Sequence, residues 1–161
     1  MKTIRTLCLA TAATCMLTAC DNDNDNLRNS ANVITFTSAI SQMASRAVAD
    51  NWEDGDKIGV YMIPAGQSLD NALAKNARYS AHGDGTITPL TTNSELLYPA
   101  NGSSVDFVAY YPLQYEVADN VYKVDITNQE VAGDIDLMYA TATDYNKDSK
   151  SKPNLLFDHK L

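Results

Sequence analysis

Short runs of alternating apolar and polar residues constrain the fold of this chain more than any other feature. From residue 33 onward the apolar positions recur with a period of two, which is typical of a β-strand with one buried face, and not with the period of about 3.6 of a helix. Residues 33–40 show the pattern, since Ile34, Phe36 and Ile40 fall on one face. Short strands without a sustained helix predict an all-β, antiparallel β-sandwich.

Six segments carry the strand pattern, and clusters of Gly, Asn, Asp, Ser and Pro separate several of them. The predicted strands are residues 33–40, 57–62, 105–111, 121–126, 136–141 and 154–157. Pro112 ends the third strand, because proline has no N–H to donate to a neighbouring strand. Residues 68–77 are the only segment for which we predict a helical turn or two. No internal repeat is evident.

The first twenty residues have the features of a secretory leader. Lys2 and Arg5 precede an apolar stretch, residues 7–17, that is shorter than the about 20 residues needed for a membrane-spanning helix. The small residues that end at Cys20 resemble the lipobox of bacterial lipoproteins. This resemblance implies cleavage between Ala19 and Cys20, followed by diacylation of the thiol and acylation of the new amino group. The alternative is an ordinary signal peptide that leaves Cys20 as a free thiol.

Composition limits what the processed chain can do. One cysteine remains after the leader is removed, and the lipid would occupy it, so no disulfide forms and a hydrophobic core must hold the domain together. The net charge is −8, and it becomes −10 without the leader, which carries two cations and no acid. An acidic surface argues against nucleic acid and against electrostatic docking on anionic lipid. The acyl chains would therefore anchor the protein.

Alternating aspartate and asparagine fill residues 21–26, directly after the lipobox cysteine. This run contains nothing apolar to bury, so we predict that residues 20–32 form a solvated tether. The aspartate spacing is that of an EF-hand calcium loop, but Asn26 and Asn32 stand where that loop needs glycine and glutamate. The run resembles instead the acidic export signal of surface lipoproteins of the Bacteroidetes. That resemblance implies the outer face of the outer membrane.

No motif of a known catalytic centre is present in the sequence. It lacks a Gly-x-Ser-x-Gly elbow, a phosphate-binding glycine loop and a His-Glu-x-x-His pair. His82 and His159 are isolated in sequence, whereas a zinc site needs three or four converging donors. Asp54 and Asp56 have the residue type of glycosidase carboxylates, but they flank a turn and a strand, so we predict solvated roles. We therefore predict a protein that is not an enzyme and has no cofactor or metal.

Four motifs, in their order along the chain, resemble the fimbrillin family of Bacteroidetes surface lipoproteins. They are Trp-Glu-Asp-Gly-Asp-Lys-Ile-Gly-Val-Tyr at 52–61, Tyr-Pro at 98–99 leading to Val-Asp-Phe-Val-Ala-Tyr-Tyr-Pro at 105–112, Asp-Leu-Met-Tyr-Ala at 136–140, and the closing run 155–161. The resemblance implies two transthyretin-like β-sandwich domains in series. Residues 1–19 would then be the signal peptide and 33–161 the first domain. The second domain is apparently missing, either by truncation or because this is a one-domain relative.

The family resemblance also implies a maturation step. In fimbrillins an arginine-specific or trypsin-like protease removes the leader together with the first strand of the sandwich. Arg46 matches that position, which makes Arg46 and Ala47 the candidate processing site. Its surroundings, residues 41–45, are small and mostly polar, as expected for a loop that a protease can enter. The alternative is a solvated surface arginine without such a role.

Assembly would follow from loss of strand 33–40. A terminal strand from the next subunit would fill the empty groove, and because such a head-to-tail contact does not close, it grows a filament. The resemblance thus implies an adhesive surface protein, either a pilus subunit precursor that passes into the fimbrium or an anchor or accessory subunit that stays lipidated. Its partners would be other subunits and a host or bacterial surface ligand. The alternative function is a glycan-binding lipoprotein whose nine tyrosines include some that stack on sugar rings.

Overall fold

The computed structural model describes residues 32–41, 51–91, 94–123 and 136–160, and these residues form an all-β structure. Seven strands lie in them: β1 Thr37–Ile40, β2 Asp56–Pro64, β3 Ala74–Ala81, β4 Ile87–Pro89, β5 Val105–Tyr111, β6 Met138–Tyr145 and β7 Asn154–His159. A 3-10 turn, Leu69–Asn71, lies between β2 and β3. Within the described ranges, no helix is long and apolar enough to cross a membrane. The all-β prediction is confirmed.

The strands form one sheet that nearly closes on itself. Their order is β1-β7-β6-β5-β2-β3-β4, and an isolated bridge between Thr37 and Thr86 joins β1 to the residues just before β4. Every neighbouring pair is antiparallel except β1 and β7, which run parallel. The predicted antiparallel arrangement is therefore wrong for this one pair. Because β1 and β7 come from opposite ends of the domain, no hairpin fixes their relative direction.

The core lies inside the nearly closed sheet and is built by the alternation that the sequence shows. In β6, for example, Met138, Ala140 and Ala142 are buried while the residues between them are exposed. The largest fully buried side chains come from four different strands and the residue before β7: Tyr79, Phe107, Phe157, Ile58, Leu155, Val60, Val105 and Pro153. Complete burial of one such aliphatic or aromatic side chain contributes about 1.5–3 kcal/mol.

Most predicted strands are confirmed. Residues 105–111 coincide with β5, 57–62 lie within β2, 154–157 lie within β7, and 136–141 overlap β6. In the run 33–40 only the second half is regular strand. The segment 68–77 contains the 3-10 turn but becomes strand from Ala74 onward, so the helical prediction is correct only for its start. Residues 121–123 are not strand, and the rest of that predicted strand lies outside the described residues.

Candidate functional site

The segment that closes the sheet is residues 32–41, which contain β1 and which we call the first-strand segment. On one side it pairs with β7. The N–H of Thr37 donates to the carbonyl oxygen of Pro153 at 3.0 Å, and the N–H of Ser41 donates to that of Phe157 at 2.7 Å. These bonds lie at the two ends of the parallel β1–β7 ladder, which aligns Thr37 with residue 154 and Ile40 with Phe157. Residues 37–41 of the segment are therefore paired with β7 along this edge.

The opposite edge of the first-strand segment pairs with the residues around β4. The N–H of Ile34 donates to the carbonyl oxygen of Leu96 at 2.9 Å, and the N–H of Ser38 donates to that of Gly85 at 2.8 Å. Successive N–H groups of a strand point to opposite sides, so the segment is hydrogen-bonded along both edges. It behaves as an interior strand of a closed sheet. Its loss would expose two rows of backbone donors and acceptors.

Alternate side chains of the first-strand segment face the core. Ile34 and Phe36 are each 3% exposed, and Ser38 is 7% exposed. Ile40 is partly buried and packs against the same core. The residues between them, Thr35, Thr37 and Ala39, are exposed. The predicted inward face of residues 33–40 is thus confirmed.

Phe36 occupies an aromatic pocket in the core. Its ring stands edge-to-face against Phe107 at 5.0 Å between centroids and against Tyr79 at 5.5 Å. The N–H of Leu96 donates to the Tyr79 hydroxyl oxygen at 2.9 Å, and burial raises the pKa of Tyr79 to about 12. The carbonyl oxygen of Leu96 also accepts the hydrogen bond from the Ile34 N–H. Leu96 therefore fixes the Tyr79 ring beside Phe36 and also pairs with the edge of the first-strand segment.

A tryptophan fills the core beside the end of β1. Trp52 is 6% exposed, and its ring packs edge-to-face against Phe157 at 4.9 Å and near Tyr111 at 5.5 Å. Its indole Nε1 is buried, and no hydrogen-bond acceptor for it lies among the residues that the structure describes. Trp52 begins the first sequence motif, and the sequence gives no sign that its N–H lacks a partner, because that depends on which groups surround the ring.

The predicted lipidation, signal-cleavage and protease sites lie outside the described residues. This applies to Ala19, Cys20, Arg46 and Ala47, and also to the aspartate-asparagine run. The structure describes the chain up to Ser41 and again from residue 51, so the candidate cleavage site lies in the connection between the first-strand segment and Trp52. These sites stay predictions.

The two histidines lie apart and each contacts one aspartate. His159 Nδ1 is 2.6 Å from Asp136, and both side chains are largely buried, so this pair links the end of β7 to the residues before β6. His82 Nδ1 lies 3.5 Å from Asp54, and its Nε2 lies 2.9 Å from a threonine hydroxyl. Neither is isolated in space. Among the described residues no group of three or more His, Cys, Asp or Glu is placed to hold a metal ion.

The tyrosines are mostly structural. All nine lie in the described residues, and only Tyr115 and Tyr139 are exposed, each with a cationic side chain over its ring. Neighbouring Tyr110 and Tyr111 face opposite sides of β5: Tyr111 packs against the core, whereas Tyr110 is 8% exposed on the outer side. An outer cleft of about 130 Å³ is lined by four tyrosines together with aliphatic side chains: Tyr61, Tyr110, Tyr122 and Tyr139.

Comparisons with known proteins agree on one family. A family model described as fimbrillin-like matches residues 45–161. "Putative fimbrium subunit Fim1C" of Bacteroides uniformis is 34% identical over 165 residues, an alignment that covers the whole of this chain and 54% of the relative. This chain thus spans about half the length of that curated relative.

Solved structures show the same fold. A crystal structure titled as a putative cell adhesion protein from Bacteroides uniformis superimposes with a TM-score of 0.64 at 32% identity, covering 81% of this chain and 47% of that one. A protein with the same kind of title from Bacteroides ovatus superimposes with a TM-score of 0.59 at 22% identity, covering 80% of this chain and 52% of the other, which supports the fold alone. Because the family model matches well over half of its residues, this chain belongs to the fimbrillin-like family.

Proposed function

We propose that this chain is the first domain of a fimbrial subunit that assembles by exchange of its first strand. The observation that carries the proposal is the double pairing of the first-strand segment, which fills a groove between β7 and the residues around β4. An interior strand at the beginning of a domain can be removed without breaking the connectivity of the rest. In this proposal the domain is a transthyretin-like sandwich, and the nearly closed sheet and its fimbrial relatives support that assignment.

The groove that strand removal leaves is a strong binding site for another strand. Unpaired N–H and C=O groups would line both edges, including the carbonyl oxygens of Gly85, Leu96, Pro153 and Phe157 that now accept hydrogen bonds. The floor would present the apolar side chains that now surround Phe36. A strand from a second subunit satisfies both needs, since its backbone pairs with the edges and its alternate side chains fill the floor. Repetition of this contact builds a filament because it does not close.

Cleavage after Arg46 is the step that frees the groove. The residue lies in the connection between the first-strand segment and Trp52, and the family match begins at residue 45, immediately before it. The matched part of the chain therefore starts two residues before Ala47, the proposed first residue of the processed subunit. Before cleavage, acylated Cys20 anchors the precursor to the outer membrane, and an uncleaved copy serves as an anchor or accessory subunit. The role is structural and adhesive, without catalysis.

Limited digestion with trypsin tests the proposal. We expect a stable product that begins at Ala47 by mass spectrometry and that gives a ladder of oligomers on native electrophoresis. Arg46→Gln should abolish both the product and the ladder, whereas Arg28→Gln, which lies before the first-strand segment, should leave both unchanged. A trypsin-resistant monomer that keeps residues 33–46, or a product that starts elsewhere, would contradict it. This chain spans about half the length of its curated relative. If the digested chain alone forms no ladder, a longer relative is added to supply the donor strand.

The glycan-binding alternative is less well supported. The outer tyrosine-lined cleft encloses about 130 Å³, whereas small-molecule sites usually enclose about 300–1,000 Å³. The exposed rings of Tyr115 and Tyr139 each already carry a cationic side chain, from Arg78 and Lys160 respectively. A sugar would have to displace that cation before it could stack on the ring. Binding of this chain on a glycan array that Tyr139→Ala abolishes would favour the alternative.

A further inference from the structure

We propose that the groove occupied by the first-strand segment selects its occupant by two inward positions: one must be aromatic, and the next inward one must be small. In this chain they are Phe36 and Ser38. The inference rests on the proposed strand exchange, since it names the kind of strand that the groove accepts. The expected occupant is an extended segment from another subunit with the order apolar, aromatic, small, apolar at alternate residues, as in Ile34, Phe36, Ser38 and Ile40.

The aromatic position is defined by the rings around Phe36. Phe107 and Tyr79 hold its ring edge-to-face at centroid distances of 5.0 and 5.5 Å, within the range of about 4.5–7 Å that aromatic pairs prefer. Tyr79 is itself fixed by the hydrogen bond from Leu96, so the wall cannot collapse freely onto a smaller residue. A shorter side chain at this position would leave a cavity, because the surrounding rings are anchored.

The small position is Ser38, whose buried side chain lies where two backbones approach each other closely. The Gly85 carbonyl oxygen accepts hydrogen bonds from the Ser38 N–H at 2.8 Å and from the Ser38 hydroxyl at 3.3 Å. A Cβ atom on Gly85 would lie 2.7 Å from the Ser38 carbonyl oxygen, and Gly85 has φ +80°, so only glycine fits there. The Ser38 side chain is 93% buried at this point, and a larger side chain would overfill a packed interior.

Together the two positions fix the register of the incoming strand. A shift by one residue turns the apolar side chains outward, which any buried strand face forbids. A shift by two residues keeps the correct face, but it moves the aromatic side chain against Gly85 or into the place of Ile34 and leaves its pocket empty. An evenly apolar strand would tolerate the two-residue shift. The order of aromatic then small removes that freedom, so the groove distinguishes between donor strands that are equally apolar.

Peptide competition on the full chain tests the inference without depending on Arg46. A recognition sequence for a site-specific protease, inserted after Gln42, allows the first-strand segment to be cut free in the folded protein. Fluorescent peptides with the sequence of residues 32–41 then compete with the resident segment. We expect Phe36→Ala in the peptide to weaken binding on the order of 100-fold or more, and Ser38→Leu about 10-fold or more. The matched outward changes, Thr35→Ala and Ala39→Leu, should alter binding by less than about 3-fold.

A change in the chain itself separates the backbone contact from side-chain effects. Gly85→Ala should weaken binding of every peptide, because its Cβ meets the backbone oxygen of position 38. Gly66→Ala is the control, since Gly66 has a similar φ of +73° but nothing lies within 4 Å of its Cβ position. Both variants place alanine at a similar positive φ, so a loss confined to Gly85→Ala reports the close approach.

The outcomes distinguish the inference from the proposed function. Strong binding of the native peptide with the expected losses for Phe36→Ala and Ser38→Leu supports both. Equal binding of the native and Ser38→Leu peptides, or of the native and Phe36→Ala peptides, overturns the selection rule while strand exchange stands. Failure of every peptide to bind the cut chain overturns strand exchange, and the selection rule with it.

Discussion

Replacement of Phe36 by alanine should destabilise the intact chain strongly. The ring is 3% exposed and packs against the rings of Tyr79 and Phe107, and the change removes both contacts. Truncation of a buried phenylalanine costs about 3–5 kcal/mol in the free energy of unfolding. A domain of this size has a total stability of about 5–15 kcal/mol, so the change removes a large fraction of it. With about 2–4 °C per kcal/mol for chains near 150 residues, the melting temperature should fall by about 6–20 °C.

Urea unfolding followed by tryptophan fluorescence measures this effect directly. The domain has a single tryptophan, Trp52, which packs against Phe157 and therefore reports on the core next to β7. Thr35→Ala is the control, because it shortens an exposed side chain of the same segment. It should change the free energy of unfolding by less than about 0.5 kcal/mol. If the two variants unfold at the same urea concentration, the first-strand segment contributes nothing to the core, and the reasoning about the groove is wrong.

Three further measurements test other parts of the molecule. Cys20→Ser should abolish incorporation of a fatty-acid label and release the protein from membranes, and continued labelling would refute the lipoprotein assignment. Trp52→Phe should cost less than about 1.5 kcal/mol in unfolding free energy, because the indole N–H that it removes has no acceptor in the described part of the chain. Trp52→Ala should cost about 3–5 kcal/mol, and equal costs would contradict this. Burial raises the pKa of Tyr79 to about 12 from its ordinary value near 10, so the folded state holds this proton more tightly and stability should fall as pH rises from 10 to 12. Tyr79→Phe should reduce that slope, and an unchanged slope would rule out Tyr79 as its source.

The sequence predicts β5 well because the segment is dense in valine and aromatic residues and Pro112 ends it. It does not predict β3, and the reason is local. Between Val60 and Met62 the pairing of β2 with β3 shifts by one residue, and Asn76 in this bulge has φ +51°. The bulge interrupts the alternation of inward and outward side chains in the first half of β3, so the sequence shows no strand pattern there. The start of β3 is also half-exposed on both faces, which leaves no clear inward stripe.

A glycine in β2 also has a structural reason that the sequence does not reveal. Gly59 lies inside the predicted strand 57–62, and a Cβ atom there would collide with the Tyr110 ring. The Tyr110 ring lies across the backbone at this point, and its hydroxyl donates to the Asn76 side-chain oxygen at 2.7 Å. The residue is therefore small because a side chain from the neighbouring strand covers it. The sequence shows the glycine but not the ring that requires it.

Only the local features of the groove around the first-strand segment could be predicted from the sequence. Alternation in residues 33–40 correctly identifies Ile34 and Phe36 as inward, because that information is local. The parallel pairing with β7 and the close approach of Gly85 depend on where distant segments meet. Residue 85 is separated from Ser38 by 47 positions, and its turn residues carry no sign of that contact. Tertiary placement thus decides what makes the groove selective.

Covalent connection explains why strand exchange would require a cut. A donor strand and the resident first-strand segment make the same kind of bonds, so their intrinsic affinities for the groove are comparable. The resident segment, however, is joined to the domain through residues 42–50 and has an effective concentration of roughly millimolar or more. A donor subunit at micromolar concentration competes at a disadvantage of about 1,000-fold, or about 4 kcal/mol. Cleavage in that connection removes this advantage without weakening any contact in the groove. In the proposed assembly, a single peptide bond therefore separates a stable monomer from a subunit that polymerises.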